Sequence, residues 1–245
     1  MSYLVVGTES PVAAALVTRL LEQGINVVGT YSVPPSDKLT RLRNESEGKL
    51  RLVELNLGDL SAVRTFASEQ PEGYTAVVYA HMYFEMEPIS GFDEAQWTRS
   101  VVENLAAPAA LFTESSTLLA DGGSAVIVTS TEAFRGSYRA GAYAASKAAV
   151  HNLVMTLANN LGPHGVRVNA VAAGWIGGVM DTDEVFEMSR RITPLGRLGT
   201  PAEVANVLAF LTSAEASFIS GSVVTVDGGY TGVDTISKYE SESVD

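Results

Sequence analysis

The chain has 245 residues, 46% of them hydrophobic, no cysteine, and a formal charge of −12 at pH 7. That charge repels phosphate backbones and anionic lipid heads, so neither nucleic acid nor a membrane surface is an expected partner. The missing cysteines exclude disulfides and thiolate metal sites, and with only three histidines no metal site is expected. The length suits a single domain with a sizeable core. No stretch of about twenty uncharged apolar residues predicts a membrane span. An apolar run starting at Tyr3 with no basic segment before it argues against a signal peptide, and the composition suits the cytoplasm.

The elements alternate from the start. Tyr3–Val6 reads as a strand, Gly7-Thr8-Glu9-Ser10 as a tight turn, and residues near 12–23 as a helix. Strands follow at Asn26–Thr30, Leu50–Leu55, Ala76–Tyr79, Ser124–Thr129, Arg167–Val171 and Ser222–Val226. Helices are expected near 60–69, 93–120, 142–161 and 201–213. Pro34-Pro35-Ser36-Asp37 reads as a loop, 177–195 as a flexible insertion, and 237–245 as a frayed tail. Several strands are apolar nearly throughout, which is the signature of burial on both faces. The pattern therefore predicts an α/β domain over residues 1–245, a Rossmann-like doubly wound parallel sheet of about seven strands with helices on both faces. In such folds the first strand–turn–helix carries the phosphate loop, and here that turn holds one glycine, Gly7.

The strongest chemical signal is Tyr143-Ala-Ala-Ser-Lys147 in the fourth of these five predicted helices. A spacing of four puts phenol and ammonium on one helical face, where a cation favours phenolate and would lower the tyrosine pKa. Such a pair is a plausible proton donor and acceptor, although by itself it also describes an ordinary surface pair. Ser130, at the end of the fifth strand, lies where open α/β sheets place ligands; alone it would read as an N-cap or turn residue.

Together these residues resemble the short-chain dehydrogenase/reductase family, and the likeness runs along most of the chain. Asn169-Ala-Val-Ala-Ala-Gly174-Trp-Ile, Pro194-Leu-Gly-Arg-Leu-Gly-Thr-Pro201 and Phe218 to Gly229 are similar to family segments. Asn104 matches the helix asparagine that completes the family's catalytic tetrad. The resemblance implies that Tyr143 exchanges a proton with the substrate oxygen and Ser130 hydrogen-bonds that oxygen. Lys147 would lower the tyrosine pKa and hold the nicotinamide ribose, and Asn104 would anchor a relay water. It also implies cofactor contacts from Gly7, Ser10, Tyr31, Ser32, Asn56, Ala80, Lys147, Gly174 and Ile176. Residues 177–195, with Met180, Val185, Phe186 and Met188, would form a substrate lid. His81, Thr131, Tyr138 and Trp175 are candidates to line the substrate pocket, and His81 reads equally as a packed loop residue.

The departures from the family cluster around the cofactor. Pro11 and Ala13 stand at the second and third glycines of the first turn, Met82 replaces the glycine after the fourth strand, and Gly178 replaces a threonine. Proline has no N–H and adds a ring at the pyrophosphate, so weakened dinucleotide binding is expected. Ser10-Pro11 still reads as an N-cap followed by a first helical residue, an electropositive end able to receive an anion. The second strand ends in Gly29-Thr-Tyr-Ser32 without an acid, which favours NADP over NAD; Lys38 and Arg41 are the nearest basic candidates for its extra phosphate. The leading reading is an NAD(P)-dependent oxidoreductase acting on a small to medium, partly apolar alcohol or carbonyl. A non-redox enzyme using the Ser–Tyr pair and a non-catalytic binding protein are the alternatives. A homo-oligomer, a dimer or tetramer built on the long helices, is implied by the same resemblance.

Overall fold

The computed structural model describes residues 1–70, 73–114, 118–178 and 181–234; Met180 and the tail from Ser237 lie outside the described residues. One sheet holds seven parallel strands: β1 (Ser2–Val6), β2 (Asn26–Tyr31), β3 (Leu50–Glu54), β4 (Tyr74–Tyr79), β5 (Leu119–Ser130), β6 (Arg167–Ala173) and β7 (Val223–Val226). Their order is β3-β2-β1-β4-β5-β6-β7. The chain winds outward from β1 in one direction and from β4 in the other, so the switch point lies between the carboxyl ends of β1 and β4, where such sheets bind ligands.

The strands are buried on both faces because their side chains alternate between two cores. In β1, Leu4 and Val6 pack with residues of α3 (Leu60–Ser68), α5 (Ala107–Glu114) and α6 (Gly141–Leu161). Tyr3 and Val5 pack on the opposite side with α1 (Pro11–Glu22), α2 (Asp37–Glu45) and α8 (Pro201–Thr212). An uninterrupted apolar strand is what this two-sided burial requires.

Three expectations need correction. Residues after Pro34-Pro35-Ser36 continue into α2, whose N-cap Ser36 accepts from the Leu39 N–H at 3.3 Å. Only Leu39 of that helix is buried, so its apolar period is faint. The segment 177–195 is not simply a flexible insertion. It contains α7 (Asp183–Ile192), capped by Thr182 and carrying Asp183 and Glu184 in its first turn and Arg190 and Arg191 in its last, an order that suits the helix dipole. The single helix expected over 93–120 is α4 (Glu94–Val101), a π turn at Val102–Ala106, and α5, and β5 already begins at Leu119.

Candidate active site

A cleft of about 500 Å³ opens at the switch point. Its walls come from the turn after β1 (Glu9, Ser10, Pro11), the end of β2 (Ser32), the segment after β4 (Ala80, His81, Met82), the end of β5 (Ser130), α6 (Tyr143) and the end of β6 (Gly174, Trp175, Ile176). Asp181 and Val185 also line it. Gly7 has φ +84° and lies so near the His81 backbone that a Cβ there would come within 2.6 Å of it, so only glycine fits this turn. Ser10 is the N-cap of α1 but makes no capping bond, which leaves the first-turn N–H groups without a side-chain acceptor.

Tyr143 and Lys147 sit side by side on α6, both buried. The Tyr143 hydroxyl donates to the Met82 Sδ at 3.1 Å, and the Phe84 ring packs edge-on against the phenol at 5.1 Å between centroids. Burial pushes the phenol up to about 12; a hydrogen bond with Ser130 opposes that rise and the Glu132 charge adds to it. Burial likewise brings the Lys147 ammonium down to about 7. Its Nζ lies 5.8 Å from the Tyr143 ring centroid and donates to the carbonyls of Val128 (3.2 Å) and His81 (3.5 Å). The expected lowering of the tyrosine pKa by Lys147 is therefore not seen here: desolvation outweighs a cation that is itself weakly charged.

Asn104 lies in the π turn and is wholly inaccessible. Its Nδ2 donates to the Tyr83 carbonyl at 2.9 Å and to the hydroxyls of Ser100 and Ser146, each at 3.2 Å, and its Oδ1 accepts from the Tyr83 N–H at 3.0 Å. This amide pins the segment after β4 to α6, and it does not reach the cleft. Glu87, in the same loop, accepts the Ala142 N–H at 2.5 Å and so fastens the first turn of α6, which has no side-chain cap of its own.

Sequence reasoning missed a chain of four charged groups. Glu9 Oε1 lies 3.0 Å from His81 Nδ1, His81 Nε2 lies 2.8 Å from Glu103 Oε2, and Arg99 Nε donates to Glu103 Oε1 at 2.6 Å. Burial alone would lower the His81 pKa, but its hydrogen bonds to Glu103 and Glu9 prevail and raise it. Burial would raise both carboxylates, and the His81 bond, with Arg99 on the Glu103 side, holds both below the ordinary value. Arg99 and Glu103 at a helical spacing of four were the one local sign of this chain; the rest joins residues 72 and 22 positions apart. His81 lies in the cleft wall and is bonded through both ring nitrogens. The Asn56 side chain accepts from the Gly58 N–H and lies outside the cleft wall. Neither Tyr31, Thr131 nor Tyr138 lines the cleft: Thr131 is buried in a short 3-10 turn and Tyr138 is 82% exposed.

A family profile described as Enoyl-(Acyl carrier protein) reductase matches residues 6–231. The chain belongs to the short-chain dehydrogenase/reductase family. It is 31% identical to Cis-4-hydroxycyclohexanecarboxylate dehydrogenase of Sinomonas cyclohexanicum over 94% of this chain and 96% of that one. It is 30% identical to Cyclohexanol dehydrogenase of Acinetobacter sp. (strain SE19) over 93% and 94% respectively. The crystal structure of BdcA in complex with NADPH superposes with a TM-score of 0.85 at 27% identity, covering 93% of each chain. This short-chain dehydrogenase/reductase is an NAD(P)-dependent oxidoreductase. Among the described residues no helix is long and apolar enough to cross a membrane, and no group of acidic or histidine side chains is arranged to hold a metal ion.

Proposed function

We propose that this enzyme interconverts a secondary alcohol and its carbonyl on a small cyclic substrate, with Tyr143 as the acid–base group. The observation that carries this reading is that the Tyr143 and Ser130 side chains meet in the same cleft that opens at the N-terminus of α1. The residues present fit a dinucleotide. Gly7 lets the phosphate turn pack against the His81 backbone, the uncapped first turn of α1 offers N–H groups to a pyrophosphate, and Ser32 and Ala80 line the same cleft as Tyr143. Pro11 offers no N–H at its position, so the pyrophosphate gains one donor fewer and affinity is reduced. When bound, the nicotinamide group supplies or accepts a hydride.

The remaining work belongs to the chain. Tyr143 gives its hydroxyl proton to the carbonyl oxygen during reduction and takes it from the alcohol during oxidation, while the Ser130 hydroxyl hydrogen-bonds that oxygen. A phenol held near 12 favours the protonated, donating form; oxidation needs the phenolate and so rises with pH. Lys147 holds the carbonyls beneath the site, and Asn104 acts as a positioning residue through Tyr83. The cleft wall is mainly apolar around Met82, Phe84, Trp175 and Val185, which suits a ring; the two relatives above are both named for a hydroxylated cyclohexane. Val185 of α7 supports a lid role for the segment 177–195.

The test is oxidation of cyclohexanol and of cis-4-hydroxycyclohexanecarboxylate with either dinucleotide. Tyr143→Phe should lower turnover by at least about a hundredfold with unchanged circular dichroism, since it removes one hydroxyl at the proton-transfer position. Activity within tenfold of wild type would remove Tyr143 from the mechanism.

A further inference from the structure

The end of β2 carries no acid, yet a carboxylate stands beside it. Glu9, projecting from the turn after β1, accepts a hydrogen bond from the Ser32 hydroxyl at Oε1 over 3.0 Å, and the same oxygen contacts His81 Nδ1. Ser32 directly follows Tyr31, the last residue of β2, so the bond brings a negative charge to the place where dinucleotide folds that use NAD carry an acid on β2 itself. We infer that Glu9 selects NAD over NADP, the acid being supplied across the crevice by the phosphate turn. This rests on the cleft binding a dinucleotide, as proposed above.

Two physical effects act together. A 2′-phosphate brings further negative charge against the Glu9 carboxylate, whereas a neutral ribose 2′-hydroxyl does not. Ser32 is the hydroxyl at the end of β2 that lines the cleft, and its single proton is already donated to Glu9, so it has none to offer a phosphate. The cations nearby are engaged as well. His81 is bracketed by Glu9 and Glu103, and Arg99 is bonded to Glu103 while its guanidinium lies 4.2 Å from the Tyr83 ring centroid. With both cations charged, the four groups sum to zero and leave no positive excess for a phosphate. Lys38 and Arg41, the basic residues expected from the sequence to serve NADP, are not in the cleft wall.

Calorimetric titration of the purified full-length protein with NADH and with NADPH tests this through binding alone. Wild type should bind NADH at least about tenfold more tightly, and Glu9→Gln, which keeps the shape and removes the charge, should shrink that ratio at least about fivefold by improving NADPH. Should the variant fail to fold by circular dichroism, the wild-type ratio still decides. Equal or tighter binding of NADPH by wild type overturns the inference, and so does a ratio that Glu9→Gln leaves unchanged. If wild type binds neither dinucleotide at millimolar concentration, the cofactor cleft itself falls and this selectivity with it.

Discussion

At the scale of single residues, the site is governed by how burial competes with partners. Tyr143 and Lys147 stand one helical turn apart, yet each is displaced toward its neutral form because both are out of water and neither faces a full opposite charge. His81, whose carbonyl accepts from the Lys147 ammonium, behaves in the opposite way, because two carboxylates contact its two ring nitrogens. A histidine raised above its ordinary 6.5 adds stability in full below that value and loses it as pH climbs through the folded pKa. Carboxylates lowered from 4.5 add stability above that value and lose it as pH falls through theirs. The network is therefore strongest between about pH 4.5 and 6.5. The melting temperature of wild type minus that of His81→Gln should be largest near pH 5.5 and shrink toward pH 9. Taking the difference cancels the opposite pH dependence of Lys147. A gap that stays flat across this range would show that His81 is uncharged in the fold.

At the scale of elements, three helix starts treat their exposed N–H groups differently, and two of them, α1 and α6, line the cleft. α8 has a full capping box between Thr200 and Glu203, α6 borrows Glu87 from the β4–α4 loop, and α1 leaves its first turn open toward the cleft. The open one is where an anion is expected. Its defect is Pro11, and Pro11→Gly adds a donor there. One hydrogen bond to a charged group contributes roughly 1.5–3 kcal/mol, less about 1 kcal/mol for a looser helix start, so dinucleotide affinity should rise about two- to thirtyfold by calorimetry. No gain would shift attention to Met82, whose sulfur occupies the Tyr143 hydroxyl. Ala13 is a poorer probe of the same turn, because it is wholly buried in the core beneath α1 and its methyl would be lost from packing. The π turn carries Asn104, whose side chain points inward to Tyr83 and Ser146.

At the scale of the whole molecule, apolar side chains stand out on surfaces away from the cleft. Val101 on α4 and Met155 on α6 are exposed, as are Phe210 on α8 and Phe218 in the turn before β7, the last fully so. The family resemblance implies a dimer or tetramer formed through the long helices, and such exposure accords with it. Light scattering at micromolar concentration should give two or four times the 25.9 kDa of one chain, and Met155→Glu should lower that mass. A wild-type mass of one chain would contradict the assembly.

What the sequence determined by itself follows from local and periodic constraints. Seven apolar runs alternating with amphipathic ones suffice for a parallel sheet covered on both faces, and a tyrosine and lysine four apart must share a helical face. Ser10-Pro11 likewise shows its helix start without any tertiary partner. α2 escaped because its face is mostly solvated, whereas α7 does carry an apolar period (Val185, Met188, Ile192) that reading the segment as an insertion passed over. The tertiary structure alone decided the rest. Glu9, His81 and Glu103 come from three separate segments that meet only in the fold, and their charges matter because that meeting point is largely sheltered from water; Ser32 joins them from the end of β2 at the exposed rim. The pKa directions of Tyr143 and Lys147 were hidden for the same reason: spacing along a helix gives proximity, whereas desolvation depends on everything packed around it.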